Sequence, residues 1–142
     1  MKTLNVRSDT ISEAPADQAW SLVRDFCTAW HPLVDKMGAE DGGKVRCFTV
    51  KHDDTVYRER LTWFSDTERS MAYQMIEGIN GVQDYTGRLE ITSNGNCCQI
   101  TMKAEFKARS DRADQIAKGT KEIFDQGVAT IALMATKTRG HV

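Results

Sequence analysis

A basic and an acidic side chain interrupt an apolar pattern in the middle of the sequence. Arg46 lies in the alternating segment 44–51 and Glu59 in the alternating segment 56–64, both on the face that carries aromatic and aliphatic residues. Buried side by side they would form an ion pair, which is costly to bury and often no more stabilising than apolar residues. Alternatively, the pair orients a carbonyl, carboxylate or enol. In an enzyme, Glu59 would move a proton while Arg46 stabilises an oxyanion.

The expected pairing of these two segments depends on the turn between them. A tight turn at Asp53-Asp54 makes Arg46 and Glu59 diagonal neighbours, within reach of each other. The same register predicts Val50 opposite Tyr57, Phe48 opposite Glu59, Arg46 opposite Leu61, and Trp63 further along that face.

Three tyrosines also fall on inward positions of predicted strands: Tyr57, Tyr73 and Tyr85. A tyrosine in a sheet usually packs in the core with its hydroxyl on a neighbour or in water, and we favour that interpretation for each one singly. Together, they can donate hydrogen bonds to an oxygenated aromatic molecule, so we expect at least one to touch a ligand. Met71, Met75 and Met102 either fill gaps in the core or form an adaptable wall for irregular ligands.

The cysteines and histidines do not have the spacing of a metal site. Cys27, Cys47, Cys97 and Cys98 contain no C-x-x-C pair, and Cys97 and Cys98 would point to opposite faces of one strand. We therefore predict four unpaired, mostly buried thiols and no metal. The histidines, His31, His52 and His141, are far apart in sequence and form no i, i+4 pair.

The elements that must position these side chains follow from the period of the apolar residues. A strand is predicted over 3–11 and a helix over 16–27, broken at Trp30-His31-Pro32, with a polar connection from Gly38 to Gly43. The period then becomes 2, which predicts an antiparallel sheet with inward residues alternating against polar ones. The later strands cover residues 70–75, 84–91 and 98–107.

The last segment predicts one long helix that begins near Ser110 or Asp111. Its apolar stripe comprises Ile116, Thr120, Phe124, Val128, Ile131 and Ala135. The order is one strand, two short helices, several antiparallel strands and a long helix. This order predicts an α+β fold in which a curved sheet wraps around the C-terminal helix.

Length and composition limit the possibilities further. The 142 residues suffice for one domain, expected over 1–142, with 40% hydrophobic and 27% charged residues. With 19 Lys plus Arg against 20 Asp plus Glu, the net charge of −1 favours neither nucleic acid nor an anionic membrane. The longest mainly apolar run, residues 127–135, is far below the roughly 20 residues of a membrane helix. The first residues do not form a signal-peptide core, so we expect a cytoplasmic protein.

With these segments in this order, the sequence resembles the START-like or SRPBCC superfamily, also called helix-grip or Bet v 1-like, in its bacterial polyketide cyclase/dehydrase-like branch. The resemblance covers about residues 3–136. The matching segments are APADQAW at 14–20, RDF at 24–26, GKVR at 43–46, RERL at 58–61, RSMAY at 69–73 and DY at 84–85.

The resemblance implies a cavity between the sheet and the long helix, lined in relatives by the residues that match Arg46 and Glu59. We interpret Trp30 as a residue that packs in the core or against the mouth of the pocket, and His31 beside Pro32 as part of a helix break rather than a general base. The expected ligand-binding residues are Arg46, Phe48, Tyr57, Glu59, Leu61, Tyr73, Met75, Tyr85, Met102, Phe124 and Val128.

Two classes of function that use a small molecule remain open, together with a third that needs no ligand. We favour a binding protein for a small hydrophobic or aromatic molecule or a lipid: a carrier, sensor or scavenger, monomeric or homodimeric. The alternative is a cyclase, dehydratase or aromatase with Glu59 and Arg46 as catalytic residues and with no cofactor, because no nucleotide fingerprint is present. The third is a protein-binding module with a filled core.

Overall fold

The computed structural model describes residues 1–139 of the chain, in which seven strands and two α-helices form. The strands are β1 (Lys2–Ser12), β2 (Val34–Glu40), β3 (Val45–Val50), β4 (Tyr57–Ser65), β5 (Ser70–Glu77), β6 (Val82–Asn94) and β7 (Cys97–Ala108). The helices are α1 (Ala16–Val23) and α2 (Ala113–Arg139). All strands pair antiparallel in the order β1-β7-β6-β5-β4-β3-β2. This is the predicted α+β fold with a long C-terminal helix.

The β6–β7 hairpin follows the predicted alternation, with one irregularity in pairing between Gln83 and Thr86. Asn94 pairs with Cys97 across a two-residue turn in which Gly95 has φ +64°, a conformation that favours glycine. The inward side chains of both strands are buried: Tyr85, Leu89, Ile91, Cys98, Ile100, Met102, Ala104 and Phe106. The inward face of this hairpin therefore forms one side of the core.

Helix α2 buries its predicted apolar stripe in this core. Ile116, Thr120, Phe124, Val128, Ile131 and Ala135 are all buried. The one polar member is satisfied, because the Thr120 hydroxyl donates to the Ile116 carbonyl at 2.9 Å. The helix packs against β1, β7 and α1, so it closes the concave side of the sheet.

The region after β1 holds one short α-helix where two were predicted. Helix α1 ends at Val23, and residues 24–33 form turns, so the prediction of a helix to residue 27 is wrong. The cause is local: the Asp25 side chain accepts a hydrogen bond from the Cys27 N–H at 3.0 Å, which competes with continued helix. Cys27 consequently lies in a turn and is half-buried.

Strand β2 corrects the prediction that residues 38–43 form only a polar connection. Val34–Glu40 pairs with β3, and a 3-10 turn, Asp41–Gly43, joins the two strands. This is an edge strand on which only Val34 and Met37 are half-buried, with an irregularity in pairing next to Val34. Because most of its side chains face water, its sequence shows no clear period of 2.

The predicted β3–β4 register is wrong by two residues. Arg46 pairs with Glu59 and Phe48 with Tyr57. The connection covers residues 51–56 rather than a tight turn, because His52 has φ +67° and Asp53 Oδ1 accepts from the Thr55 N–H at 2.9 Å. A shift of two keeps every side chain on its predicted face, so Arg46 and Glu59 become direct partners instead of diagonal ones.

Trp63 lies outside the core, against the prediction that it continues the inner face. The pairing shifts between Leu61, opposite Tyr73, and Trp63, opposite Ala72. One extra residue reverses the alternation beyond it. The Trp63 ring is consequently exposed and donates to the Ser70 hydroxyl at 3.1 Å.

All four cysteines are free thiols, as predicted, but only Cys98 is fully buried, while Cys27, Cys47 and Cys97 are half-buried. His141 lies outside the described residues. No helix within residues 1–139 is long and apolar enough to cross a membrane.

Candidate functional site

A cavity of about 250 Å³ lies between the sheet, α2 and the turns that precede β2. Its walls come from β2 to β7, the turns after α1 and the middle of α2. The lining residues are Thr28, Trp30, His31, Leu33, Val34, Met37, Arg46, Phe48, Val50, Lys51, Tyr57, Glu59, Tyr73, Met75, Ile79, Tyr85, Met102, Thr120, Ile123 and Phe124.

Every predicted ligand-binding residue lines this cavity except Leu61 and Val128. Leu61 is half-buried against the core beside it, and Val128 lies one turn further along α2, where it is buried. Their prediction as lining residues is therefore wrong, because an inward face continues past the end of the open space. Whether the lining residues hold a ligand stays a prediction.

One wall of the cavity was not predicted. It is formed by Thr28, Leu33 and by Val34 and Met37 of β2, together with Ile123 on α2. Trp30 lines the cavity beside these residues. Apart from Ile123, this wall belongs to turns and to an edge strand without strong periodicity. The one usable signal was the pair Val34 and Met37, apolar residues in an otherwise polar stretch.

The polar part of the lining centres on Arg46 and Glu59. The Arg46 Nε donates to Glu59 Oε1 at 2.8 Å, and the Arg46 Nη1 donates to the Phe26 carbonyl at 3.2 Å. Their side chains are 13% and 7% exposed, respectively. Burial is the largest single influence and acts against the Arg46 charge, but the attraction and hydrogen bond of Glu59, together with the nearby Tyr73 and Cys27, raise the Arg46 pKa above its ordinary value.

Aromatic rings hold the guanidinium in place. The Arg46 Cζ lies 4.2 Å from the centroid of the Phe26 ring and 4.6 Å from that of Tyr73, within the range of cation–π contacts. The two ring centroids are 6.0 Å apart, so the rings lie on neighbouring sides of the guanidinium. Together with the hydrogen bonds to Glu59 and the Phe26 carbonyl, they fix the orientation of Arg46. Arg46 also lines the cavity, so a molecule held there can approach the guanidinium from the side that these groups leave open.

Tyr73 and Tyr85 complete this group. Burial raises the pKa of both hydroxyls above the ordinary value for tyrosine, so both are neutral hydrogen-bond donors near pH 7. Both hydroxyls lie close enough to Arg46 and Glu59 for these charges to influence their pKa values. We call Arg46, Glu59, Tyr73 and Tyr85 the polar cluster.

Gly87 makes room for one member of the polar cluster. It is the cross-strand partner of Tyr73 on β6, and a Cβ at Gly87 would lie 2.4 Å from the Tyr73 ring. No real Cβ comes so close to a ring, so the absence of a side chain at Gly87 lets Tyr73 lie flat on the β6 backbone. The position of the Tyr73 hydroxyl thus depends on the glycine opposite it, a contact that the sequence analysis did not predict.

His31 links the turn before β2 to helix α2 through hydrogen bonds. Its Nδ1 accepts from the Leu33 N–H at 3.1 Å, so in the neutral ring Nε2 carries the proton and donates to the Ile123 carbonyl at 2.9 Å. Burial lowers the His31 pKa. The ring lies over Gly127, where a Cβ would come within 3.2 Å of it. Both nitrogens are engaged, which fits the predicted structural role better than that of a general base.

The chemistry open to this site is that of organic acid–base groups. The polar cluster offers one carboxylate, one guanidinium and two neutral hydroxyls at one end of an apolar space. No three His, Cys, Asp or Glu side chains in the described part of the chain lie close enough to hold a metal ion. The polar cluster can bind an oxygenated molecule or transfer a proton at Glu59.

Solved structures share the fold over nearly the whole chain. The XoxI protein from Bacillus cereus superposes with a TM-score of 0.88 at 18% identity, covering 96% of this chain and 99% of that one. The ZhuI aromatase/cyclase from Streptomyces sp. R1128 has a TM-score of 0.82 at 16% identity, covering 96% and 95%. Norcoclaurine synthase from Thalictrum flavum, in complex with dopamine and hydroxybenzaldehyde, has a TM-score of 0.75 at 17% identity, covering 96% and 88%.

At these identities the structures establish a common fold, and no curated protein sequence matches the chain significantly. The sequence model of one family does match, over residues 3–133. The description of that family is polyketide cyclase/dehydrase and lipid transport. The match agrees with the predicted START-like, helix-grip relationship and with the arrangement of sheet and helix. The chain belongs to the polyketide cyclase/dehydrase and lipid transport family.

Proposed function

We propose that this protein binds a small hydrophobic or aromatic molecule in the cavity between its sheet and α2, as a carrier, sensor or scavenger. The observation that carries the proposal is the polar cluster beside an unfilled apolar space. Pockets for small molecules typically combine apolar walls with a few convergent polar groups. Here the walls include Phe48, Met75 and Phe124.

The polar cluster has hydrogen-bonding capacity that the protein does not use. Glu59 engages Arg46 through Oε1 alone, and no hydrogen bond of the Tyr85 hydroxyl is found among residues 1–139. Buried polar atoms in a closed core are nearly always paired. Unused donors and acceptors that border a cavity are better explained by a ligand or water than by core packing, which argues against a module with a filled core.

A cyclase- or dehydratase-type enzyme is the second candidate. Its support is the family description and the placement of a carboxylate beside a guanidinium and two neutral hydroxyls. In this mechanism Glu59 takes a proton from carbon next to a carbonyl, while Arg46 and a tyrosine stabilise the enolate oxygen. Glu59→Gln would then retain substrate affinity but lose turnover of a poly-β-keto substrate by about a hundredfold or more.

Native mass spectrometry of the protein purified from its own host tests the proposal. We expect a population heavier than the chain by the mass of one small organic molecule, which is released when the protein is denatured. A spectrum with only the bare chain, together with no uptake of neutral aromatic probes by the purified protein, would contradict small-molecule binding. Action in the cytoplasm, as a monomer or homodimer, and affinity for lipids stay predictions.

A further inference from the structure

We propose that the cavity selects for charge: it takes a neutral aromatic molecule of one or two rings that bears a hydroxyl or carbonyl group, and it rejects the carboxylate of the same skeleton. This rests on the proposed binding function and narrows its ligand class. The observation behind it is that the single buried cation of the site already has its counter-charge.

The Arg46–Glu59 pair leaves the deep part of the cavity with no net charge. The guanidinium is held by Glu59 at 2.8 Å, the Phe26 carbonyl at 3.2 Å and two aromatic ring faces. A carboxylate reaching the free edge of Arg46 would also approach Glu59, which is 7% exposed and therefore weakly screened by water. An ammonium group approaching Glu59 would meet Arg46 in the same way.

The unused polar atoms fit a neutral group that both donates and accepts. The Tyr85 hydroxyl is a neutral donor with no partner among the described residues, and Glu59 Oε2 is an acceptor without a hydrogen bond there. A phenol, alcohol or primary amide can accept a hydrogen bond from a tyrosine hydroxyl and donate one to a carboxylate. A carboxylate, which only accepts, would satisfy the donor and leave two negative charges side by side.

The volume and the lining residues of the cavity indicate the size and shape of the ligand. A volume of about 250 Å³ lies just below the roughly 300–1,000 Å³ of sites for drug-sized ligands, which fits one or two rings. Phe48 and Tyr57 stack with their ring centroids 5.2 Å apart, and both line the cavity, as does Phe124 on α2. A planar aromatic molecule matches these surfaces. Lys51 also borders the cavity, but it is exposed, so water and salt screen its charge.

The experiment compares two ligands of nearly the same shape, 2-naphthamide and 2-naphthoate, with 2-naphthol as a second neutral ligand. Their dissociation constants are measured by isothermal titration calorimetry at pH 7.5 on the full chain. We expect both neutral ligands to bind at least about tenfold more tightly than 2-naphthoate, the factor that a modest unfavourable charge interaction produces. Equal or tighter binding of 2-naphthoate would overturn the inference.

A variant of Glu59 tests whether the paired charges cause this preference. Glu59→Gln leaves Arg46 without its counter-charge, so the preference for 2-naphthamide over 2-naphthoate should fall by at least about tenfold. Glu77→Gln is the matched control, because Glu77 is an exposed carboxylate that pairs with Arg58 and does not line the cavity. An unchanged preference in folded Glu59→Gln would overturn the inference. If that variant does not fold, the wild-type comparison still decides.

A third probe separates this inference from the proposed function. N-phenyl-1-naphthylamine is neutral and apolar and becomes fluorescent in apolar sites. If it is taken up while 2-naphthamide and 2-naphthol are not, the ligand class is wrong and small-molecule binding stands. If none of the probes binds, both are contradicted.

Discussion

Replacing Glu59 with glutamine distinguishes a structural ion pair from a contact made for a ligand. The substitution keeps the size of the side chain and removes its charge, so the Arg46 Nε loses a charged partner at 2.8 Å and gains a neutral one. The consequences for stability and for binding differ between the two roles. Both can be measured on one sample.

The expected loss of stability follows from what Arg46 retains. A sealed ion pair that loses one partner costs about 3–5 kcal/mol, because the remaining charge is left buried. Here the guanidinium keeps the Phe26 carbonyl, two ring faces and an edge on the cavity that water can reach. The remaining loss is that of exchanging a charged hydrogen bond for a neutral one, about 1–2 kcal/mol. For a chain of this length the melting temperature should fall by about 3–8 °C.

Urea denaturation gives the stability change, and calorimetric titration with 2-naphthamide gives the affinity change. We expect a fivefold to tenfold weaker affinity, because Glu59 Oε2 is replaced by a weaker acceptor or by a donor. The double variant Arg46→Met with Glu59→Leu is the control. It removes both charges, so it should regain stability relative to Glu59→Gln but bind 2-naphthamide poorly.

The opposite pattern would refute this reasoning. If Glu59→Gln loses more than about 4 kcal/mol, the double variant restores stability, and the affinity for 2-naphthamide is unchanged in both, then Arg46 and Glu59 are only an internal ion pair.

Three further changes test neighbouring parts of the site. Phe124→Ala removes a buried ring and should destabilise the fold by about 3–5 kcal/mol in urea denaturation. Gly87→Ala forces the Tyr73 ring away from β6, so we expect a loss of about 1–3 kcal/mol and weaker binding of 2-naphthamide. Because burial lowers the folded-state pKa of His31, its contribution to stability is present above about pH 6.5 and is lost as the pH falls below that value. The free energy of unfolding should therefore fall more between pH 7 and 5.5 in the wild type than in His31→Gln.

Each of these changes has a control and a contrary result. Leu133→Ala on the exposed side of α2 should cost far less than Phe124→Ala; equal losses would place Phe124 outside the core. Gly119→Ala, where a Cβ meets open space, should stabilise α2 by up to about 1 kcal/mol, and an equal gain for Gly87→Ala would contradict the close contact. A variant at the exposed loop residue His52, His52→Asn, should keep the wild-type pH dependence, and loss of that dependence there would contradict the role of His31.

The faces of the strands could be predicted from the sequence, and their partners could not. The β6–β7 hairpin pairs regularly from its glycine turn as far as Thr86, so its buried face follows from period 2. The irregularity in pairing between Gln83 and Thr86 leaves no trace in that pattern. The turn of the β3–β4 hairpin depends on the left-handed His52 and on the side chain of Asp53, and composition does not reveal either. Because the resulting shift was two residues, Arg46 and Glu59 still faced inward.

The parts that were missed lack periodicity. Strand β2 is an edge strand with Val34 and Met37 among exposed residues, and the turns after α1 carry His31 to the cavity through hydrogen bonds rather than an apolar face. The irregularity before Trp63 inverts one end of β4, and a single inserted residue leaves no compositional trace. Half of the cavity wall therefore required the tertiary structure.

Methionine methyl NMR tests the central claim most directly, that a neutral aromatic molecule occupies the cavity between the sheet and α2. Met37, Met75 and Met102 line the cavity, whereas Met71 is buried in the core and does not. In protein labelled with ¹³C at the methionine methyl groups, titration with 2-naphthamide should shift the signals of the three lining methionines and leave that of Met71 in place. Shifts confined to other methionines, or no shifts at saturating ligand, would contradict the claim.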